Sequence, residues 1–161
     1  MNAPTIHPKT AIGHIHLTVS DLKRSLAFYR DILGFEVTQD LGSAVFLSAG
    51  GYHHHIGLNT WRAPDAQKPR EGQIGLYHFA ILLPTRQELA KVVKRLLDAN
   101  YPIDGAGDHG VSESIYLHDP DGNGIELYAD RAKKDWPVAK DGKIAMHTLP
   151  VDLDGLLKEA K

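Results

Sequence analysis

Along the chain the spacing of apolar positions changes from two to about 3.6 and back, and it does so twice. In Ile12–Val19, I-G-H-I-H-L-T-V, the residues Ile15, Leu17 and Val19 share one face, while His14, His16 and Thr18 share the other. That alternation predicts a half-buried strand. Ser20 is a good N-cap, and Leu22, Leu26, Tyr29 and Leu33 recur at helical spacing, so a helix is expected over Asp21–Leu33. Gly34 is placed to close it in the left-handed conformation. Strand-like runs follow at Phe35–Thr38, Ala44–Ser48 and His53–Trp61. The first half therefore reads β-α-β-β-β.

A stretch rich in Pro and charge, Arg62 to Gln73, interrupts the pattern, which then restarts. Gly75–Leu83 reads as a strand ended by Pro84, and Thr85 with Glu88 forms the capping box of a second helix. Leu89, Val92, Val93, Leu96 and Leu97 give that helix its apolar face, and Asn100 and Pro102 end it. Shorter strands are expected at Ile103–Gly105, Ser112–Leu117 and Ile125–Tyr128, the last opened by the turn D-P-D-G-N-G. The second half is β-α-β-β-β again, an internal duplication with a period of roughly 65 residues. The expected fold class is α+β: two βαβββ modules, about 11–61 and 74–131, paired into one domain over 11–131. Residues 1–10 are a flexible lead, and 132–161 form a C-terminal extension with a turn at Lys140–Lys143 and a short helix within Val151–Lys161. The sequence does not choose between a pocket cover and a subunit contact for that extension, and it leaves room for a homodimer.

Composition narrows the function. At 161 residues, 42% hydrophobic and 24% charged, the chain has the make-up of an ordinary soluble domain. A net charge of −2 gives no field to steer nucleic acid or an anionic membrane, so neither is an expected partner. No apolar run approaches the ~20 residues of a membrane helix, and the N-terminus lacks a secretory pattern, so the cytoplasm is the default. With no Cys, any metal must rest on His, Asp or Glu.

Ten His are present, and the duplication sorts them. His14 opens the first module where His78 opens the second; Ile56-Gly57-Leu58 lies where Ile125-Glu126-Leu127 lies. Of four equivalent positions, His14, His78 and Glu126 carry ligand-type side chains, and Gly57 carries none. Taken singly each has a plain reading: an exposed strand His, a core His with a hydrogen-bond partner, a solvated Glu. Taken together, two His and one carboxylate from three strands are the ingredients of a facial triad, which suits Fe(II), with Mn(II) or another divalent metal next. Alternation puts His53, His55, Gly57 and Asn59 on one face, making His55 the candidate acid or base beside the metal, with His54 pointing away. Tyr116, ten residues before Glu126, could stand over the same pocket, although a lone Tyr is more often a core aromatic. His109 lies in a Gly-flanked loop, His118 reads as solvated, and His7 and His147 receive no role.

G-H-I-H-L-T-V-S-D-L-K-R-S-L-A-F-Y-R-D-I-L-G-F and D-P-D-G-N-G-I-E-L-Y resemble the two signatures of the vicinal oxygen chelate superfamily, which includes glyoxalase I and extradiol dioxygenases. The motifs G-L-Y-H-F-A-I-L-L-P-T-R, D-H-G-V-S-E-S-I-Y-L-H-D-P-D-G-N-G-I-E-L-Y-A-D-R and P-V-D-L-D-G-L-L resemble the bacterial catechol 2,3-dioxygenase branch. The resemblance implies sheets curled around a metal pocket, with the metal role on His14, His78 and Glu126. It also implies a substrate-facing role for Tyr116 and a neighbouring one for His109. The function it implies is Fe(II)-dependent extradiol cleavage of a small aromatic diol by O₂. The alternatives are a glyoxalase-like lyase, a fosfomycin-resistance-like thiol transferase, and a non-catalytic binding member. Branch members commonly have two such domains, whereas this chain has one.

Overall fold

The computed structural model describes residues 3–62, 68 and 72–161. Residues 1 and 2 of the expected lead, and 63–67 and 69–71 of the expected connector, lie outside the described residues. The order is β1 (Ile15–Thr18), α1 (Leu22–Tyr29), β2 (Glu36–Asp40), β3 (Ala44–Ser48), β4 (Ile56–Asn59), β5 (Phe79–Leu82), α2 (Arg86–Asp98), β6 (Gly105–Asp108), β7 (Ser112–His118), β8 (Gly124–Asp130) and α3 (Leu153–Leu157), with a 3₁₀ turn at Lys133–Asp135. Two four-stranded mixed sheets result, ordered β1-β4-β3-β2 and β5-β8-β7-β6.

The registers make the duplication concrete. In the parallel pairs, Ile15 faces Ile56 and His16 faces Gly57 in one sheet, as Phe79 faces Ile125 and Ala80 faces Glu126 in the other. In the antiparallel pairs, Phe46 faces Gly57 as Tyr116 faces Glu126. Each sheet buries one face. Leu17, Val45, Leu47, Ile56 and Leu58 from the first module join Ile115, Leu117, Ile125 and Leu127 from the second in one buried apolar cluster, with the inner faces of α1 and α2.

Several boundaries differ from the sequence expectation, each for a local reason. The N-cap of α1 is Asp21, whose carboxylate accepts the Arg24 N–H; the Ser20 hydroxyl instead donates to Asp121 at 2.6 Å. The helix ends at Tyr29, four residues early. There it loosens into longer-period bonds (Asp31 N–H to Leu26 O, Leu33 N–H to Phe28 O) before Gly34 turns the chain at φ +92°. Strand β4 begins at Ile56, so the alternation does not run back through His53–His55. Strand β5 begins only at Phe79, and Leu97 on α2 is exposed. Thr85 caps α2 as expected, accepting the Glu88 N–H at 3.2 Å.

The modules meet through α1 and the D-P-D-G-N-G turn. The Tyr29 hydroxyl donates to buried Asp119 at 2.9 Å, and Asp119 also accepts the backbone N–H of Asp121 and Asn123. Burial, with the Asp119 carboxylate beside it, pushes the Tyr29 hydroxyl far above the ordinary range. Arg95 on α2 donates to the Ile32 and Leu33 carbonyls at 2.8 and 2.7 Å, and Phe28 stacks on Tyr101. These contacts leave β1 and β5, the terminal strands of their sheets, flanking a mostly apolar groove of about 650 Å³.

The extension is built into the second module. Leu149 forms an antiparallel bridge with Asp108 on β6, and α3 buries Leu156 while packing on α2. Arg131 grips Asp108 at 2.5 and 2.8 Å and reaches Glu113, while Arg86 joins Glu113 to Glu159 beyond α3. The Arg131 guanidinium, helped by the Gly110 N–H, holds the Asp108 carboxyl down at about 2. A depressed carboxyl contributes stability above its unfolded value of ~3.9 and loses it as pH falls through its folded value. Arg131→Gln should therefore lower the unfolding free energy at pH 5–7, by on the order of 1–2 kcal/mol after screening, and should flatten the loss of stability between pH 4 and 2. Thermal melts across that window check it; an unchanged acid limb would remove the pair from the ledger.

Candidate active site

The open face of the second sheet is set by its small residues. Glu126 on β8 is flanked by Tyr116 on β7 and by Ala80 on β5. Ala80 leaves the β5 side low, and His78, just before the strand, reaches over it. Gly124 makes that approach possible: a Cβ there would lie 2.2 Å from the Tyr77 carbonyl oxygen and 3.1 Å from the His78 Cβ. Gly124 was not singled out in the sequence, and its signal, a glycine opening a strand next to a ligand-type residue, is a weak one. Gly124→Ala should force the Tyr77–His78 backbone away, costing about 1–3 kcal/mol and displacing His78. Thermal melts and metal titration read the two effects separately.

Four side chains form a continuous row on this face. His78 Nε2 lies 3.1 Å from Glu126 Oε2. The Tyr116 hydroxyl stands 3.2 Å from Glu126 Oε1 and 2.6 Å from His109 Nε2. Partial burial and the neighbouring Glu126 charge hold the Tyr116 hydroxyl above its ordinary value, so it is a protonated donor at neutral pH. The other ring nitrogen of His109, Nδ1, faces the His147 carbonyl at 3.2 Å and the Thr148 hydroxyl at 3.3 Å. His147 and Thr148 enter through the extension, a placement that periodicity could not reveal.

The corresponding place in the first module is closed by rings. Phe46 stands where Tyr116 stands, and the His16 ring covers Gly57, within 3.0 Å of where a Cβ would be. His14 is exposed, and its ring lies 4.4 Å from that of His54, which in turn lies 5.0 Å from Phe46. Burial and the surrounding His14, His53, His16 and His55 keep His54 below the ordinary imidazole value. His55 is turned elsewhere: its Nδ1 accepts the Ala49 N–H at 3.3 Å and lies 3.2 Å from the Ser48 hydroxyl. His14 and His55 both line the groove between β1 and β5. His118 Nδ1 lies 2.5 Å from an Asp104 carboxylate oxygen on the exposed surface.

One chain thus brings together His78, Glu126, Tyr116 and His109, and holds His14 in a separate histidine cluster. Among the described residues no three His, Asp or Glu side chains converge in metal-binding geometry. The His78–Glu126 pair does fit part of a metal site. Two neighbouring donors each about 2.0–2.2 Å from one ion lie about 3 Å apart, close to the observed separation.

The Glyoxalase/Bleomycin resistance protein/Dioxygenase superfamily matches residues 11–127. The chain belongs to this superfamily. Within it, the chain is 45% identical to a catechol-2,3-dioxygenase of Bacillus subtilis (strain 168) over 97% of its own length and 54% of that protein's. It is 31% identical to biphenyl-2,3-diol 1,2-dioxygenase 3 of Rhodococcus globerulus, over 78% of the chain and 65% of the relative. The chain therefore spans about half to two thirds of the length of these relatives. Among solved structures of the fold, the lactoylglutathione lyase of Agrobacterium tumefaciens aligns with a TM-score of 0.58 at 29% identity, over 76% of this chain and 96% of that one. The expected pairing of βαβββ modules is the architecture found, and no helix among the described residues is long and apolar enough to cross a membrane.

Proposed function

We propose that this superfamily member is an extradiol-type dioxygenase, cleaving the ring of a small catechol with O₂ at the face built by His78, Glu126, Tyr116 and His109. The observation that carries the reading is the row itself: a His–carboxylate pair spaced for a divalent cation, continued by a phenol and an imidazole able to move protons. The similarity to two diol dioxygenases supports the substrate class. Phosphonate-gripping transferase chemistry is less well served, since none of the four residues of the row is a Lys or Arg.

The metal proposed is Fe(II), then Mn(II), held by His78 and Glu126 with His14 as the third ligand. Because His14 stands apart from the pair within one chain, it is proposed to come from a second copy, making a homodimer with shared sites. The two sheet-terminal strands β1 and β5, and the exposed Ile12, Leu76, Tyr77 and Leu82 around them, supply an apolar surface for that copy. A bound divalent cation supplies Lewis-acid polarisation and holds diol and oxygen together. The chain's own residues do the rest. The Tyr116 hydroxyl lies between the carboxylate and His109, where it can donate to a substrate oxygen beside Glu126 or exchange its proton with His109 Nε2.

Oxygen uptake by Fe(II)-reconstituted protein across a panel of catechols tests the reading. Uptake with a ring-cleavage chromophore is expected for at least one small catechol. Absence of uptake with every member, in protein shown to contain iron, would overturn it.

A further inference from the structure

We propose that the C-terminal segment 147–149 is a positioning element that fixes the proton of the His109 ring on Nδ1, so that Nε2 alone exchanges protons with the Tyr116 hydroxyl. The inference rests on the proton-handling role given to His109 and Tyr116 above, and it gives the extension a function.

The segment is tied to β6 by an isolated antiparallel bridge. The Asp108 N–H donates to the Leu149 carbonyl at 2.8 Å, and the Leu149 N–H returns to the Asp108 carbonyl at 2.9 Å. The His147 N–H donates to the His109 carbonyl at 3.3 Å. These bonds bring the His147 carbonyl to 3.2 Å from His109 Nδ1. A carbonyl only accepts, so this hydrogen bond forms only with Nδ1–H, and the Thr148 hydroxyl 3.3 Å from the same nitrogen, which can donate or accept, then accepts. The ring lies over Gly107, where a Cβ would come within 3.1 Å of its Cε1 and 3.6 Å of the Thr148 methyl; the bare glycine makes the slot that the ring and the segment share.

With Nδ1 committed, the proton count along the row is fixed. In the neutral ring the Nε2 lone pair faces the Tyr116 oxygen at 2.6 Å, and the single phenol proton goes to it rather than to Glu126 at 3.2 Å. The Tyr116 hydroxyl and the Nε2 lone pair therefore face each other at hydrogen-bond distance, and a proton can pass between them with no heavy atom moving. The opposite tautomer, Nε2–H, would place its lone pair against the His147 carbonyl and turn the phenol proton to Glu126, leaving Nε2 unable to accept it. The segment decides which of the two exists.

The test is the tautomer of His109 in the full, metal-free chain labelled with ¹⁵N-histidine, read by long-range ¹H–¹⁵N correlation and assigned by the signal missing from His109→Gln. The wild-type ring is expected as Nδ1–H. Leu149→Pro removes the N–H that closes the bridge and should mix the tautomers; in Fe(II)-loaded protein it should cut kcat by about 10-fold or more, out of the 10²–10⁴ that proton transfer can supply, with KM within about 2-fold. Leu149→Ala keeps the N–H and should match wild type in both. Should Leu149→Pro fail to fold by circular dichroism, Thr148→Gly, which loosens the same backbone, replaces it with the same expectation. An Nε2–H ring in the wild-type chain, or an unmixed Nδ1–H ring in the folded loosened variant, overturns the proposal. The tautomer is read without metal, diol or oxygen, so a chain that shows it yet consumes no oxygen overturns the reaction assigned and leaves the positioning intact.

Discussion

His78→Ala should bind neither iron nor manganese while keeping its fold, and so should Glu126→Ala. His78 precedes β5 with its side chain about a third exposed, and its removal opens no core cavity. Changing a group that only supports a ligand typically costs about 10–100-fold in metal affinity; removing a ligand from a three-ligand set should exceed that. Elemental analysis finding wild-type metal in His78→Ala would sink the assignment. His14→Ala should lose metal as well, although His14 stands apart from the pair in one chain, and that is the sharper expectation. If His14 reaches the site from a second copy, mixing His14→Ala with Glu126→Ala chains restores function in part. One site of the mixed dimer lacks both groups, and the other has His14 from the Glu126→Ala chain with His78 and Glu126 from the His14→Ala chain. Half of the wild-type metal per mixed dimer should return, and oxygen uptake with it. No recovery from the mixture, with each variant folded and dimeric, would show that the ligands are not shared between copies.

What the sequence made legible follows from which physics is local. The duplication, the two capped helices and the core faces rest on period and cap chemistry, and the registers pair Ile15 with Ile56 as they pair Phe79 with Ile125. Tyr116 and Glu126 could be set side by side because strand alternation and a ten-residue hairpin spacing determine it. Boundaries were less legible where tertiary contacts override propensity. Ser20 was taken by Asp121 rather than by the helix end, and α1 stops where Arg95 from the other module claims the Ile32 and Leu33 carbonyls. The part played by His147 and Thr148 was not legible at all, because it depends on where an irregular segment crosses β6. The separation of His14 from its fellow ligand-type residues was equally hidden, since equivalence by duplication says nothing about which copy faces which.

The histidine next to His14 gives the second large effect. The expectation for His55 assumed that β4 extends back through His53, but the strand starts at Ile56; the His55 backbone still bonds Leu47 and Ile15, and residues 53–54 bend away from the sheet. His55 has its Nδ1 engaged by the Ala49 N–H and the Ser48 hydroxyl, which makes it a brace for its own loop. The ring that travels with His14 is His54, 4.4 Å away and in edge contact with Phe46, the counterpart of Tyr116. If His14 is carried to the site of a second copy, His54 arrives with it in ring contact, while His55, which shares the groove lining with His14, keeps its Nδ1 engaged by its own loop. His54→Gln is therefore expected to keep its metal and lose about 10²–10⁴ in kcat, the worth of a positioned proton carrier. His55→Gln should lower stability by the roughly 1 kcal/mol of a partly buried hydrogen bond and leave kcat within about 3-fold. Steady-state oxygen uptake and metal analysis on the two variants decide it. A silent His54→Gln beside an inactive, metal-loaded His55→Gln would return the role to His55.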